Sequence, residues 1–196
     1  MHTRRILVTA ALLFGTARVV HAGPPWISIE FPSNPHHATT RDASFLIHAY
    51  HHTQGINTSV TGTAVGIVGG QRRTMRLDVR ETALAGVYAL RTPLPKDGTW
   101  VLSITMKDDN APATALVTVD RSGSVSKVSV PSSMSRDGWV IPRAATQKDI
   151  EAALQQGLIA DATTERGALA KKGAIGVPLA LMLAFAALRR RRAASV

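Results

Sequence analysis

Residues 86–106 read GVYALRTPLPKDGTWVLSITM, and this stretch decides the fold. Its second half alternates apolar and smaller or polar side chains with a period of two, which is the pattern of a β-strand with one buried face. The apolar side chains on that face are Trp100, Leu102, Ile104 and Met106. A shorter apolar run precedes them, and the Lys-Asp-Gly sequence of residues 96–98 is typical of a turn. We therefore predict two strands joined by a short loop.

Short β-branched runs divided by turn residues continue on both sides of this stretch. The predicted strands are Trp26–Phe31, Ser44–Tyr50, Val60–Val68, Thr74–Arg80, Gly86–Arg91, Thr99–Met106, Thr114–Asp120 and Ser124–Val130. In the fourth of them, Met75, Leu77 and Val79 alternate with charged residues, which predicts one buried and one exposed face. Strands at this spacing predict a mainly β fold, an antiparallel sandwich or barrel.

The same stretch carries a family resemblance. From Gly86 to Leu102 it has the pattern G-x-Y-x-L…L-P-x-x-G-x-W-x-L, with its aromatic residues at Tyr88 and Trp100. It resembles the small membrane-linked immunoglobulin-like domains of the FixH and YtkA-like group, although the membrane anchor predicted for this chain is C-terminal. The resemblance implies an Ig-like β-sandwich of about seven to eight strands over residues 23–131, with the aromatic pair anchoring the core between the sheets. It implies no catalytic activity.

The charge of the chain is concentrated at its two ends. The formal net charge is +10, but three of the 23 basic residues lie within residues 1–22 and six within residues 171–192. All 13 acidic residues lie between these ends, together with the remaining 14 basic residues. The central domain is therefore nearly neutral, which argues against a nucleic-acid partner.

The N-terminal 22 residues have the composition of a secretory signal peptide. Arg4 and Arg5 give a basic start, residues 6–17 are apolar, and Val20-His21-Ala22 fits a cleavage site before Gly23. An uncleaved N-terminal anchor is the alternative. The chain has no cysteine, which removes disulfides and Cys-based metal sites and favours a bacterial envelope over a eukaryotic extracellular space.

The C-terminus has the composition of a membrane anchor. Residues 173–188 carry no charge, and a helix of this length spans about 24 Å. Four arginines open the basic tail of residues 189–196, which the positive-inside rule places in the cytoplasm. The last 25 or so residues resemble the C-terminal sorting signals of bacterial envelope proteins. We predict a single-pass protein whose domain lies outside the cytoplasm; a buried helix of a soluble domain is the alternative.

A loop and a short amphipathic helix are predicted over residues 132–158. Thr146 is a suitable N-cap, with Asp149 three residues later as a variant of the capping box. One face of this helix carries Ile150, Ala153, Leu154 and Leu158. We expect the helix to pack on the sandwich or to mediate contacts, and to end near Gly157. Residues 159–172 are predicted to be a linker.

Histidine is the residue type that points most directly to a site. Five histidines follow the signal peptide within 17 residues: His36, His37, His48, His51 and His52. Alternation on a strand places His48, Tyr50 and His52 on one face. Neutral imidazole binds copper, nickel or zinc, and Asp42 is the nearest carboxylate. Because sandwich domains of bacterial envelopes include copper carriers, copper is the metal to test; solvated surface histidines are the alternative.

Other patterns support simpler interpretations. The glycine-rich run at residues 61–70 lacks the features of a phosphate-binding loop and fits strand bulges and turns. The arginines at 72, 73, 76 and 80 fit a solvated strand face. Trp26, Trp100 and Trp139 raise the option of carbohydrate stacking, although Trp100 has the position of a core residue.

The sequence thus predicts a non-enzymatic, exported and membrane-anchored binding or assembly module of the bacterial envelope, attached to the membrane by its C-terminal helix and with a protein partner. A copper or other metal-handling module is the alternative.

Overall fold

The computed structural model describes residues 23–34, 36–37, 40–107 and 111–168. Its strands are β1 (Trp26–Glu30), β2 (Phe45–His51), β3 (Gln54–Gly55), β4 (Ser59–Val68), β5 (Gln71–Arg76), β6 (Val79–Glu81), β7 (Val87–Leu90), β8 (Thr99–Lys107), β9 (Ala113–Val119), β10 (Val125–Ser129), β11 (Ser132–Met134) and β12 (Val140–Pro142). A helix, α1, begins at residue 147 and continues through residue 168.

The strands form two five-stranded antiparallel sheets and a separate hairpin. In the first sheet the order is β1-β2-β7-β6, and β3 pairs with the end of β2. In the second sheet the order is β10-β9-β8-β4-β5, and the hairpin is β11-β12. The prediction of a mainly β, antiparallel fold is confirmed.

The predicted strand Thr74–Arg80 is wrong as a single strand, because the chain changes sheet in its middle. Its first part belongs to β5 in the second sheet and its last part to β6 in the first sheet. At the crossing, the amide of Leu77 donates to the carbonyl of Gly62 (3.0 Å), and that of Asp78 donates to the hydroxyl of Thr92 (2.7 Å). Met75, Leu77 and Val79 nevertheless all pack against the core, as their alternation predicts.

One hydrophobic cluster joins the two sheets. It combines Ile27, Phe45, Ile47 and Tyr88 from the first sheet with Trp100, Leu102, Ile104 and Val117 from the second. The predicted aromatic pair is part of it, since Tyr88 is 3% and Trp100 7% exposed. Each large side chain buried in this way stabilises the fold by about 1.5–3 kcal/mol. The hydroxyl of Tyr88 also donates to the carbonyl of Thr58 (2.5 Å) and ties the loop before β4 to the core.

The glycine-rich segment lies in strand β4 and in the turn that follows it, as predicted. Gly69 and Gly70 form the two-residue turn between β4 and β5, with φ of 56° and 79°. Such a turn favours glycine because both residues adopt positive φ. Gly66 lies opposite Trp100 across the β4–β8 ladder, and the indole ring occupies the space of its missing side chain.

Helix α1 packs on the outer face of the second sheet. Leu154 is buried against Val101 and Leu116, and the other predicted apolar residues of the helix lie around this contact. The predicted N-cap is confirmed, since the Thr146 hydroxyl accepts from the Asp149 amide (3.3 Å) and donates to the Asp149 carboxylate (2.6 Å). The sequence thus predicted both the start of the helix and the face by which it docks.

The predicted end of the helix at Gly157 is wrong. Gly157 is buried where the helix crosses the sheet, and a Cβ there would lie 2.7 Å from Cγ2 of Thr99 and 2.8 Å from Cγ2 of Thr118. Glycine therefore serves close approach at this position and does not terminate the helix. The described part of the predicted linker, residues 159–168, continues α1. The hydroxyl of Thr99 in β8 donates a hydrogen bond to the carboxylate of Asp161 in this part of the helix (2.5 Å).

Asp149 joins the cap of α1 to an ion pair that the sequence did not reveal. Its carboxylate accepts two hydrogen bonds from Arg143, Nη1 to Oδ2 at 2.7 Å and Nη2 to Oδ1 at 2.9 Å. The hydrogen bonds from Arg143, and then those from Thr146, hold the pKa of the Asp149 carboxyl well below its usual range. Folding therefore favours the ionised carboxylate.

We expect Asp149→Ala to lower the free energy of unfolding by about 1–2 kcal/mol at pH 7, because the Thr146 amide and hydroxyl lose their acceptor and Arg143 loses its partner. A depressed pKa stabilises the fold above the unfolded value of about 3.9, and this stabilisation is lost as pH falls through the folded pKa. The difference between the two proteins should therefore shrink below about pH 4. Urea denaturation from pH 7 to pH 3 measures it, with Asp97→Ala in an exposed loop as the control. A difference that stays constant with pH would contradict this assignment.

The membrane-related predictions fall largely outside the described residues. Within the part of the chain that the structure describes, no helix has both the length and the apolar character required to span a bilayer. The predicted signal peptide (1–22), transmembrane helix (173–188) and basic tail (189–196) all lie outside the described residues.

Candidate functional site: the open face of the first sheet

The outer faces of the two sheets differ in what covers them. Helix α1 packs on that of the second sheet. On the first sheet, Ala43 of the loop between β1 and β2 covers Leu46 and Ala89 at one end. The other end has no helix over it among the described residues, and Ser28, His48 and Tyr50 are only half-buried there. We call this part the open face.

An open groove of about 520 Å³ runs along the open face. Its lining residues come from β1, β2, β3, the turn before β7 and the start of β7, and include Ser28, Glu30, His48, Tyr50, Gly55 and Val87. A smaller pocket of about 160 Å³ shares Glu30, His48 and Val87 with the groove and extends under the loop between β1 and β2. The two depressions meet at these three residues, and Glu30 and His48 are the polar ones among them.

Glu30 and His48 form the polar centre of this surface. The Nε2 atom of His48 lies 2.9 Å from Oε2 of Glu30. The side chain of His48 is 32% exposed and that of Glu30 is 45% exposed. A pair this exposed contributes little to stability. It does present a carboxylate acceptor and an imidazole, which can donate or accept, between apolar strand positions. The arrangement suits recognition of a polar group on a ligand.

The five predicted metal-site histidines lie in three places. His36 and His37 are in the loop between β1 and β2, where the His36 amide donates to Oδ1 of Asn34 (2.9 Å) and His37 lines the smaller pocket. His48 is on the open face, and His51 and His52 are at the end of β2. Among the described residues, no three His, Asp or Glu side chains are grouped so that they could hold a metal ion.

The predicted common face of His48, Tyr50 and His52 holds for the first two residues only. Strand β2 ends at His51, and His52 lies in the turn that follows, so the strand alternation does not extend to it. Asp42, the predicted extra ligand, is an exposed loop residue whose carboxylate lies 3.9 Å from the guanidinium of Arg91.

The three tryptophans have different environments. Trp100 is a core residue, as predicted. Trp26 is half-buried and lies opposite Tyr50 in the β1–β2 ladder. Trp139 is 72% exposed at the β11–β12 hairpin, next to the exposed Met134 and Val140. The sequence interpretation missed this hairpin, although Asp137-Gly138 before the apolar run of residues 139–141 is a turn signal that could have indicated it.

The arginines of β5 and β6 are partly neutralised by acidic neighbours. Arg72 pairs with Glu151 of α1 (2.7 Å), and Arg80 pairs with Asp78 (2.9 Å). These exposed pairs fit the predicted solvated strand face and do not form a continuous basic stripe. Both pairs involve residues on the surface, so their contribution to stability is small.

Comparison of the chain with protein-family models, with curated proteins and with solved structures finds no match.

Proposed function

We propose that this protein is an exported, single-pass membrane protein of the bacterial envelope, whose Ig-like β-sandwich binds a partner protein through the open face. It acts as a binding or assembly module and carries out no catalysis. The observation that carries the proposal is the asymmetry of the two sheets. The helix that leads towards the predicted membrane anchor covers one outer face and leaves the groove around Glu30 and His48 accessible on the other.

The strand order supports the Ig-like assignment. The order β1-β2-β7-β6 corresponds to strands A-B-E-D of an immunoglobulin domain, and β9-β8-β4-β5 corresponds to G-F-C-C′. In this correspondence β10, β3 and the β11–β12 hairpin are additions. Folds of this class serve many functions, so the strand order supports the architecture, and the surface has to support the function.

The distribution of charge supports the topology. The nearly neutral domain lies between two basic, apolar ends, and the four consecutive arginines after residue 188 favour retention of the tail in the cytoplasm. Helix α1 stays in contact with the sandwich as far as Glu165, which pairs with Arg121 (2.5 Å). It therefore fixes the C-terminal end of the domain on the second sheet, and the predicted anchor follows a few residues after the described part of the helix.

Single-cysteine labelling tests this proposal cleanly, because the chain has no cysteine of its own. In intact spheroplasts, we expect a membrane-impermeant maleimide to label Ser133→Cys in β11 and to leave Ser195→Cys in the tail unlabelled until the cells are lysed.

A photo-crosslinker attached at Ser28→Cys on the open face tests the binding surface and should trap a discrete partner band. The same probe at Thr74→Cys on exposed strand β5 is the matched control and should not. Equal labelling of both tail and domain in intact cells, or identical crosslinks from both faces, would refute the proposal.

The metal-handling alternative is supported by one observation on the open face. His37, His48 and Glu30 line the same small pocket. Imidazole and carboxylate groups are ligand types that copper and zinc bind. In their present positions the three side chains are not grouped to hold an ion, so this alternative requires them to move together. If the five histidines act as one metal module, loss of His48 should weaken Cu(II) binding as strongly as loss of His52.

A further inference from the structure

The first described residue, Gly23, lies beside the end of strand β2. The Nε2 atom of His51 is hydrogen-bonded to the carbonyl oxygen of Gly23. The ring of His52 lies next to that of His51, with centroids 4.6 Å apart and the ring planes tilted by 47°. Two imidazoles are therefore gathered at the residue that signal cleavage would turn into the N-terminus.

The backbone of His52 has an unusual conformation. Its φ is 55°, and within the described parts of the chain it is the only residue other than glycine with a positive φ. This region is sparsely populated by residues with a side chain and costs of order 1 kcal/mol or more. Glycine would adopt it without strain. A histidine held in this conformation beside a second histidine points to a role for its imidazole.

Cleavage before Gly23 would add a third donor. The free α-amine and the carbonyl oxygen of the same residue can close a five-membered chelate ring around a metal. Pro24 and Pro25 have no amide hydrogen, so the next two backbone nitrogens cannot be deprotonated to replace the histidines as ligands. The remaining donors at this place are the amine, the carbonyl and two imidazoles, a nitrogen and oxygen set that suits tetragonal Cu(II).

We propose that the processed protein binds one Cu(II) ion through the α-amine of Gly23 and the imidazoles of His51 and His52. This inference rests on the export step of the proposed function, because only cleavage creates the amine. It differs from a five-histidine site. His36 and His37 lie in the loop that follows the opposite end of β1. His48 pairs with Ser28 at the centre of β1, whereas Trp26 pairs with Tyr50 near Gly23.

The test uses the full chain extracted from membranes, with its N-terminal residue determined by mass spectrometry. Cu(II) alone is titrated calorimetrically, and the bound ion is characterised by electron paramagnetic resonance. We expect one saturable site with nitrogen hyperfine splitting. Combining His51→Ala with His52→Asn should weaken Cu(II) binding by at least about 100-fold. Loss of a residue that only orients a metal ligand lowers the affinity by less than this. Asparagine tolerates positive φ, so the turn is retained.

Two further variants separate the ligands from the rest of the chain. Combining His36→Ala with His37→Ala, a matched pair of adjacent exposed histidines, should leave the affinity unchanged, as should His48→Ala. Inserting Ser-Pro between Ala22 and Gly23 keeps both ligand histidines and creates no new small-residue cleavage site directly before Gly23. It moves the amine by up to about 7 Å, and the proline again offers no amide hydrogen, so binding should weaken as strongly as on loss of the histidines.

Each outcome bears on a defined claim. A chain that begins at Gly23 but keeps its affinity without His51 and His52, or after the insertion, overturns the copper site and leaves the export proposal intact. Equal losses in His48→Ala overturn it in favour of the wider histidine cluster. A chain that still begins at Met1 overturns the cleavage step and the copper site together, and the maleimide labelling then decides separately whether the domain is exported.

Discussion

Gly66→Ala is expected to lower the free energy of unfolding by about 3 kcal/mol, because there is no room for even one methyl group beneath Trp100. A Cβ at residue 66 would lie 2.2 Å from Cδ2, 2.5 Å from Cε3 and 2.7 Å from Cε2 of the indole ring. The ring cannot move aside easily, because Trp100 is 7% exposed and packed in the cluster that joins the sheets. Domains of this size are stable by about 5–15 kcal/mol, so the loss would be large.

The matched control is Gly62→Ala on the same face of β4. There the new Cβ would come within 2.9 Å of Leu77, but the nearest atom is Cδ1 of a flexible side chain. We expect a loss smaller by at least about 1 kcal/mol. Urea denaturation followed by tryptophan fluorescence gives both values, and an unchanged dependence on urea indicates that the unfolded state is not affected. Equal losses would mean that the contact between Gly66 and Trp100 does not constrain the core.

Local sequence patterns predicted the features that depend on neighbouring residues. The alternation through Trp100 identified the face of β8 that enters the core, and Thr146 with Asp149 identified the start of α1. Such signals act within a few residues, where strand or helix geometry fixes which side chains share a face. The change of sheet after Arg76 was not predictable in this way, because Leu77 and Val79 continue the same alternation through the crossing.

Features of the candidate sites that depend on distant residues were predictable only in part. The sequence places His48 and Tyr50 on one face of a strand, but the register between β1 and β2 is needed to bring Glu30 to His48. The approach of Gly23 to His51 likewise follows from that register. Because no sequence spacing encodes these contacts, the histidines appeared in the sequence as one cluster, whereas the fold separates them into three groups.

Gly157 is another residue whose role depends on distant contacts. Its local sequence signal is that of a helix end, but in the fold it lies where α1 crosses close to the second sheet. Gly157→Ala is expected to lower the free energy of unfolding by about 1–3 kcal/mol. The added methyl would meet the Cγ2 atoms of Thr99 and Thr118, and both threonines are buried and lie in the central strands of the second sheet. The helix must therefore shift outward, which also strains the hydrogen bond from Thr99 to Asp161.

Gly167→Ala in the same helix is the matched control, and its effect should have the opposite sign. A Cβ at residue 167 has no atom within 4 Å, so the substitution changes only helix propensity and should stabilise the protein by about 0.4–1 kcal/mol. Urea denaturation compares the two variants, and hydrogen exchange should show faster opening of α1 in Gly157→Ala alone. If both alanines stabilised the protein, α1 would not be docked on the second sheet at Gly157. The asymmetry between the two outer faces, on which the proposed binding surface depends, would then be lost.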